Sequence, residues 1–224
     1  MAILWTEHDR LAVCWAGLDA PAARVRFGCL KDLRRLSEEA PQFLYPDFDR
    51  FARLLDHPNS IFRWNAAHIL ANLAGVDRSR KLAPLLGRFL QPIRGPQMIA
   101  AANVMQAATV IAAAQPRLAD KLVAGILSVG RAKYETEECR YVAIGHAIES
   151  LARFPEAVQR QAAVVSFVRR QLSNPRPATR RKAQKFLKKR VVAGKKRIGG
   201  RSEDVRPPSR AGGNRKTRHQ PDSI

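Results

Sequence analysis

Leu55-Asp56-His57-Pro58-Asn59-Ser60, continuing into Ile61-Phe62-Arg63-Trp64-Asn65-Ala66, is the stretch on which the fold turns. Its first half is a turn, where proline redirects the chain and polar side chains offer caps to a new helix. Its second half opens that helix. A second copy stands 117 residues on, where Leu172-Ser173-Asn174-Pro175 leads to Arg180-Arg181-Lys182-Ala183. Arg26-Phe27-Gly28-Cys29 and Arg140-Tyr141-Val142-Ala143 open two further helices. The four arginines are separated by 37, 77 and 40 residues. The middle gap holds two repeats, one of them filled by the Ala-rich stretch from Met98 to Ala114 that lacks the arginine. A sustained period of this length marks hairpins stacked side by side, none of which buries its apolar face alone.

Outward from the repeated turn, apolar residues recur at helical spacing. Phe27, Leu30, Leu33 and Leu36 form one face, with Lys31, Arg34 and Arg35 on the other. One helix ends at Pro41 and the next runs from near Pro46 through Leu55. Further helices are expected near 60–74, 79–91, 96–114, 117–130, 136–153, 156–172 and 178–191. The breaks fall at Gly75, Pro92 to Pro96, Pro116, Gly130, Pro155 and Asn174 to Pro177. Long helices joined by short turns make antiparallel hairpins. Composition agrees: 46% of residues are hydrophobic and only 7% aromatic, a balance that suits helix packing better than strands. The first twenty residues read as a short helix or an irregular cap.

The Leu-x-x-Pro turn before an Arg-x-x-Ala helix, with its period, resembles the HEAT-repeat family over about residues 21–190. The resemblance implies an all-α, right-handed α-solenoid of about four to five antiparallel hairpins, with the aromatic after the arginine filling space between layers. The family places an aspartate just before the arginine. Asp56 stands near that place in one repeat, and Asn174 replaces it in another. Members include protein-interaction scaffolds, transport receptors, DNA-alkylation-repair glycosylases and bilin lyases. By the same resemblance the second helix of each hairpin lines a groove for a protein partner, and Arg50, Arg53, Lys81, Arg88, Arg117 and Lys121 are candidate contacts there.

The net charge of +21 is unevenly spread. Met1 to Val168 carries 21 basic and 16 acidic residues, a net of +5; Arg169 to Arg218 carries 19 basic residues and two acids, a net of +17. Charge of one sign at the end of a solenoid exceeds what solubility needs and favours an anionic partner, DNA or RNA among them. The candidate binding set is Arg169, Arg170, Arg176, Arg180, Arg181, Lys182, Lys185, Lys188 and Lys189. Ala183, Phe186 and Leu187 form the one sizeable apolar stripe of that helix. Beyond Val192 glycines and cations mix with few apolar groups, so 193–224 is expected to be a disordered basic tail after a repeat domain over 21–192 and a cap over 1–20.

No catalytic motif is legible. His68 and His146 sit inside helices on or beside apolar faces, and Glu135, Glu137 and Glu138 cluster at a helix start, where the dipole favours negative charge. Asn65, Asn72 and Asn103 read as surface or capping groups. A glycosylase or lyase would need a carboxylate and an aromatic, with Asp56 and Trp64 the nearest candidates, yet fold alone does not transfer function. The expectation is a non-enzymatic binding scaffold with no cofactor and no metal. Cys14, Cys29 and Cys139 stand apart with neither metal-ligand nor disulfide spacing, which suits a reducing, cytoplasmic setting. No run reaches the length of a membrane span.

Overall fold

The computed structural model of the chain describes residues 7–198, with side chains described over 9–189. The chain divides into two units, Met1–Lys188 and Lys189–Ile224, and the packing below is that of the first. Residues 1–6 and 199–224, which include most of the expected tail, lie outside the described residues.

The described residues are helical, with no strand among them. In order they form α1 (Glu7–Gly17), α2 (Ala23–Glu39), α3 (Pro41–Leu44), α4 (Phe48–Leu54), α5 (Ser60–Asn72), α6 (Leu82–Leu90), α7 (Met98–Ala114), α8 (Ala119–Leu127), α9 (Glu137–Leu151), α10 (Glu156–Gln159), α11 (Ala162–Arg170) and α12 (Pro177–Ile198). The expected N-terminal cap is the helix α1, packed on α2. Five hairpins result: α1 with α2, α3 and α4 with α5, α6 with α7, α8 with α9, and α10 and α11 with α12. Second helices pack on one another in order, α2 on α5, α5 on α7 and α7 on α9. Thr179 Oγ1 then donates to the Tyr141 carbonyl at 2.8 Å, placing α12 beside α9. First helices form the other layer, as the Trp15 and Phe51 rings, 4.8 Å apart between α1 and α4, illustrate.

Three expected boundaries differ. The chain after Pro41 turns straight into α3 instead of waiting for Pro46, because Pro41 occupies the first helical position, where its missing N–H costs nothing. The helix expected over 156–172 is broken at Arg160–Gln161, where Gln161 is extended; no proline or glycine marks the break. The last helix runs to Ile198 and does not stop near 191.

The core runs through both layers, from Leu30 and Leu33 to Val168, Ala183 and Phe186. The buried aromatic at the start of α5 is Phe62, 3% exposed and one place before Arg63, with its ring 6.4 Å from that of Phe27 on α2. Trp64, expected from the resemblance to fill space between layers, is only half-buried. Phe62 stacks on His57 with ring centroids 4.0 Å apart. The uncharged α7 is explained by its place between α5 and α9: Ala101, Ala107, Ala108 and Ala112 are fully buried, and only small side chains let three helices approach so closely. Gly95 carries the one turn that needs glycine. Its φ is +96°, and a Cβ there would lie 1.9 Å from the Lys133 carbonyl oxygen.

Asp77, between α5 and α6, is a buried polar hub that sequence reading passed over. Its carboxylate accepts from the Tyr45 hydroxyl at 2.7 Å, from the Lys81 and Leu82 backbone N–H groups at 2.9 and 3.0 Å, and from Gln115 Nε2 at 3.3 Å. It thereby caps α6 and ties the second hairpin to both ends of the third. Burial pushes its pKa up, but these four donors outweigh it and hold the carboxyl below its ordinary value.

Candidate functional site

The repeated arginines are structural in three of four places. Arg63 Nη1 donates to the carbonyls of His57 and Pro58 at 2.7 and 2.9 Å. Arg26 Nη1 reaches Ala20 and Pro21 at 2.7 and 2.6 Å, and Arg180 Nη1 reaches Asn174 and Pro175 at 2.7 and 2.8 Å. Each guanidinium folds back over the turn before its helix and satisfies carbonyls that no helix can use. The turns match in finer detail. His57 Nδ1 accepts from the Asn59 N–H and Asn174 Oδ1 from the Arg176 N–H, both at 3.0 Å. Asn174 is therefore the counterpart of His57, not of Asp56.

Arg140 departs from this rule. Its Nη2 donates to Glu137 Oε2 at 2.8 Å, and its Nε is the one buried side-chain polar atom without a hydrogen-bond partner among the described residues. Five residues before Arg26, Arg63 and Arg180 stands a proline, and five before Arg140 stands Glu135. That exchange is the signal from which the difference could have been read. Glu137 also accepts the Tyr141 hydroxyl at 2.8 Å. Tyr141 first and Arg140 second hold its carboxyl below the usual range.

The expected basic set separates into three groups. Arg176, Arg180 and Lys182 are occupied in packing: Arg176 Nε meets Glu138 at 2.7 Å, Lys182 Nζ meets Glu149 at 2.9 Å, and Arg180 locks its turn. Arg169 and Arg170 stand exposed on α11, in the layer of first helices, where Arg170 Nη1 donates to Ser166. Arg181, Lys185, Lys188 and Lys189 are exposed on α12 and pair with no carboxylate among the described residues.

The groove candidates fall on the other layer from the one expected. Arg50 and Arg53 lie on α4, Lys81 just before α6, Arg88 on α6, Arg117 just before α8 and Lys121 on α8, all on the first-helix side. Four are engaged locally. Arg50 covers the Trp15 ring at 3.7 Å and meets Asp47, Lys81 meets Asp49 at 2.7 Å, Arg88 pairs with Asp56, and Arg117 Nη2 donates to Gln115. Arg53 and Lys121 are exposed. The second-helix layer presents asparagines instead. Asn72 Nδ2 donates to Ser37 at 2.8 Å, and Asn103 Oδ1 lies 3.0 Å from His68 Nε2, joining successive helices.

Two cavities border these residues. A cleft of about 960 Å³ lies between the turn ending α8, the start of α9, and α11 with its following turn. Arg131, Arg140, Arg170, Tyr141, Ser166 and Ser173 line it together with apolar groups, and no acidic residue does. A second, of about 450 Å³, lies between α7 and α9, where Asn103, Gln106, His146, Glu149 and Arg153 meet Met98 and Ile99. Ile99 is 56% exposed there. Among the described residues no His, Cys, Asp or Glu group of three or more could hold a metal ion, and no helix is long and apolar enough to cross a membrane.

The stacked hairpins and their repeated turn define an α-solenoid repeat protein. No protein-family model matches the sequence, and no curated protein matches it. Among solved structures the chain is similar to an engineered protein from the Northeast Structural Genomics Consortium, at 15% identity and a TM-score of 0.54, over 88% of this chain and 90% of that one. It also matches a designed armadillo repeat protein at 17% identity and a TM-score of 0.39, over 80% and 98% of the two chains. A second engineered protein from the same consortium matches at 15% identity and a TM-score of 0.36. The first likeness supports the helical-repeat fold.

Proposed function

We propose that this chain is a non-enzymatic, HEAT-like scaffold that binds a protein partner along its hairpins and holds an anionic partner on its last helix. A nucleic-acid backbone is the anion favoured. One observation carries the reading: Arg181, Lys185 and Lys188 are exposed on α12 with no carboxylate paired to them among the described residues, whereas Arg50, Arg88 and Arg140 each meet one. Unpaired cations at this spacing attract phosphates through counterion release. Phe186, the one aromatic of α12, is buried, so bases find no ring on this helix to stack on. Attraction to the backbone without sequence preference follows. A reducing, intracellular setting belongs to the same proposal.

Fluorescence anisotropy with labelled duplex DNA and RNA across a salt series tests it, using the full chain and the variant Arg181→Gln/Lys185→Gln/Lys188→Gln. The expected result is affinity that falls steeply with salt. In the variant the slope of log affinity on log salt shrinks by about 0.9 for each duplex-DNA phosphate that no longer meets a cation. Failure of the unaltered chain to bind at low salt, where attraction is least screened, overturns the nucleic-acid reading.

A further inference from the structure

We infer that the cleft between the fourth and fifth hairpins is a binding site for a compact phosphate group, held by Arg131, Arg140 and Arg170. This site is separate from the exposed face of α12 and does not depend on it.

The argument begins with the departure of Arg140. In the other three repeats the equivalent guanidinium is spent on two turn carbonyls, six and five residues upstream. In the fourth repeat Glu135 stands where the others have proline, and Arg140 is freed from that role. The freed side chain borders the 960 Å³ cleft. Its Nη2 donates to Glu137 Oε2, its guanidinium lies over the Tyr141 ring with 5.6 Å to the centroid, and its Nε has no hydrogen-bond partner among the described residues. A guanidinium offers five N–H donors in a planar fork, so Arg140 retains donors beyond the one Glu137 takes.

Two further arginines arrive from different elements. Arg131 ends the turn after α8 and Arg170 ends α11; both are exposed, and neither meets a carboxylate among the described residues. Three arginines thus line one concavity, with Ser166, which accepts from Arg170 Nη1, and Ser173, which donates to the Arg170 carbonyl, also on its wall. Glu137, held by Arg140 and Tyr141, is the nearest carboxylate the contacts show, and it does not line the cleft. Planar forks matched to a tetrahedral oxyanion are the usual chemistry of phosphate recognition. The cleft also lies within the size range of small-ligand sites. A phosphate group on a small molecule fits a concave cleft lined from three elements better than an extended strand, which the face of α12 suits.

The probe is inorganic pyrophosphate, titrated calorimetrically into the full chain at low salt. Saturable binding is expected. Arg131→Gln/Arg170→Gln, which alters two exposed side chains, should weaken it tenfold or more, while Arg181→Gln/Lys185→Gln should leave it unchanged. Amide NMR on the unaltered chain supplies a second reading that needs no variant. Pyrophosphate should perturb residues 128–141 and 166–175, and not 181–188. Absence of saturable binding, equal weakening in both variants, or shifts centred on 181–188 would each overturn the assignment. Failure of nucleic acid to bind α12 would leave it standing.

Discussion

Arg63 and Arg180, 117 residues apart, make the same pair of hydrogen bonds, each Nη1 donating to the carbonyls six and five positions upstream. Ion-to-carbonyl bonds of this kind are stronger than neutral ones. The arginine ties the turn to the helix that follows it, and the turn fixes how one hairpin meets the next. The repeat in the sequence is therefore a repeat of one mechanical joint.

Replacing Arg63 or Arg180 by alanine should cost about 1–3 kcal/mol, since both carbonyls lose a charged donor. Arg140→Ala should cost less than about 1 kcal/mol, because that side chain holds no turn. Urea unfolding of the three variants provides the comparison. Equal destabilisation at all three positions would show that Arg140 shares the structural role.

Asp77→Asn should destabilise the chain by about 2–3 kcal/mol, because an amide replaces a charged acceptor that serves four donors. The folded carboxyl titrates below its ordinary 3.8. A depressed value means the unfolded chain binds the proton first. This stabilisation is whole above about pH 3.8 and is lost as pH falls through the folded value. Unfolding free energies on an acid series should fall for the native chain and fall less for the asparagine variant.

His68 makes a second pH window. It is 5% exposed, and burial lowers its pKa from 6.5, with Arg34 lowering it further and Asn103 and Glu38 opposing. Above about pH 6.5 both states are neutral and the contribution is complete; below it the unfolded chain takes up the proton first and stability declines. His146 is lowered too, by burial and then by Lys182, so it adds to the same slope. His68→Gln should flatten stability between about pH 7 and pH 5 without abolishing the slope. An unchanged slope would assign the whole effect to His146.

Much of the architecture was legible in the chain. Pro41, Pro116 and Pro155 stand where helices begin or the chain turns, and Asn59 caps α5 with its Oδ1 on the Ile61 N–H at 2.9 Å. These signals are local, because a missing N–H or a capping oxygen acts within one turn of the backbone. The break at Arg160–Gln161 had no such signal. Beside it Gln161 Nε2 donates to Asp120, 41 residues away in the chain, and Gln159 Nε2 reaches back to the carbonyls of Ala152 and Phe154. The candidate site was legible only as charge. Sequence put nine cations in one set, and the structure divided them between packing, the exposed end of α11 and the face of α12. Arg131 went unnoticed because its significance comes from Arg140 and Arg170, which stand beside it only in the folded chain.

The sequence by itself determined that this protein is a stack of helix hairpins, because period, proline and helical spacing are properties of neighbours along the chain. Tertiary structure decided the layer on which each cation lies, which arginines are consumed by carbonyls and which remain for a ligand. Those outcomes depend on contacts between residues some 30 to 40 positions apart, such as Asp56 with Arg88 and Glu138 with Arg176. The stacking of one hairpin on the next sets them, and no local pattern encodes it.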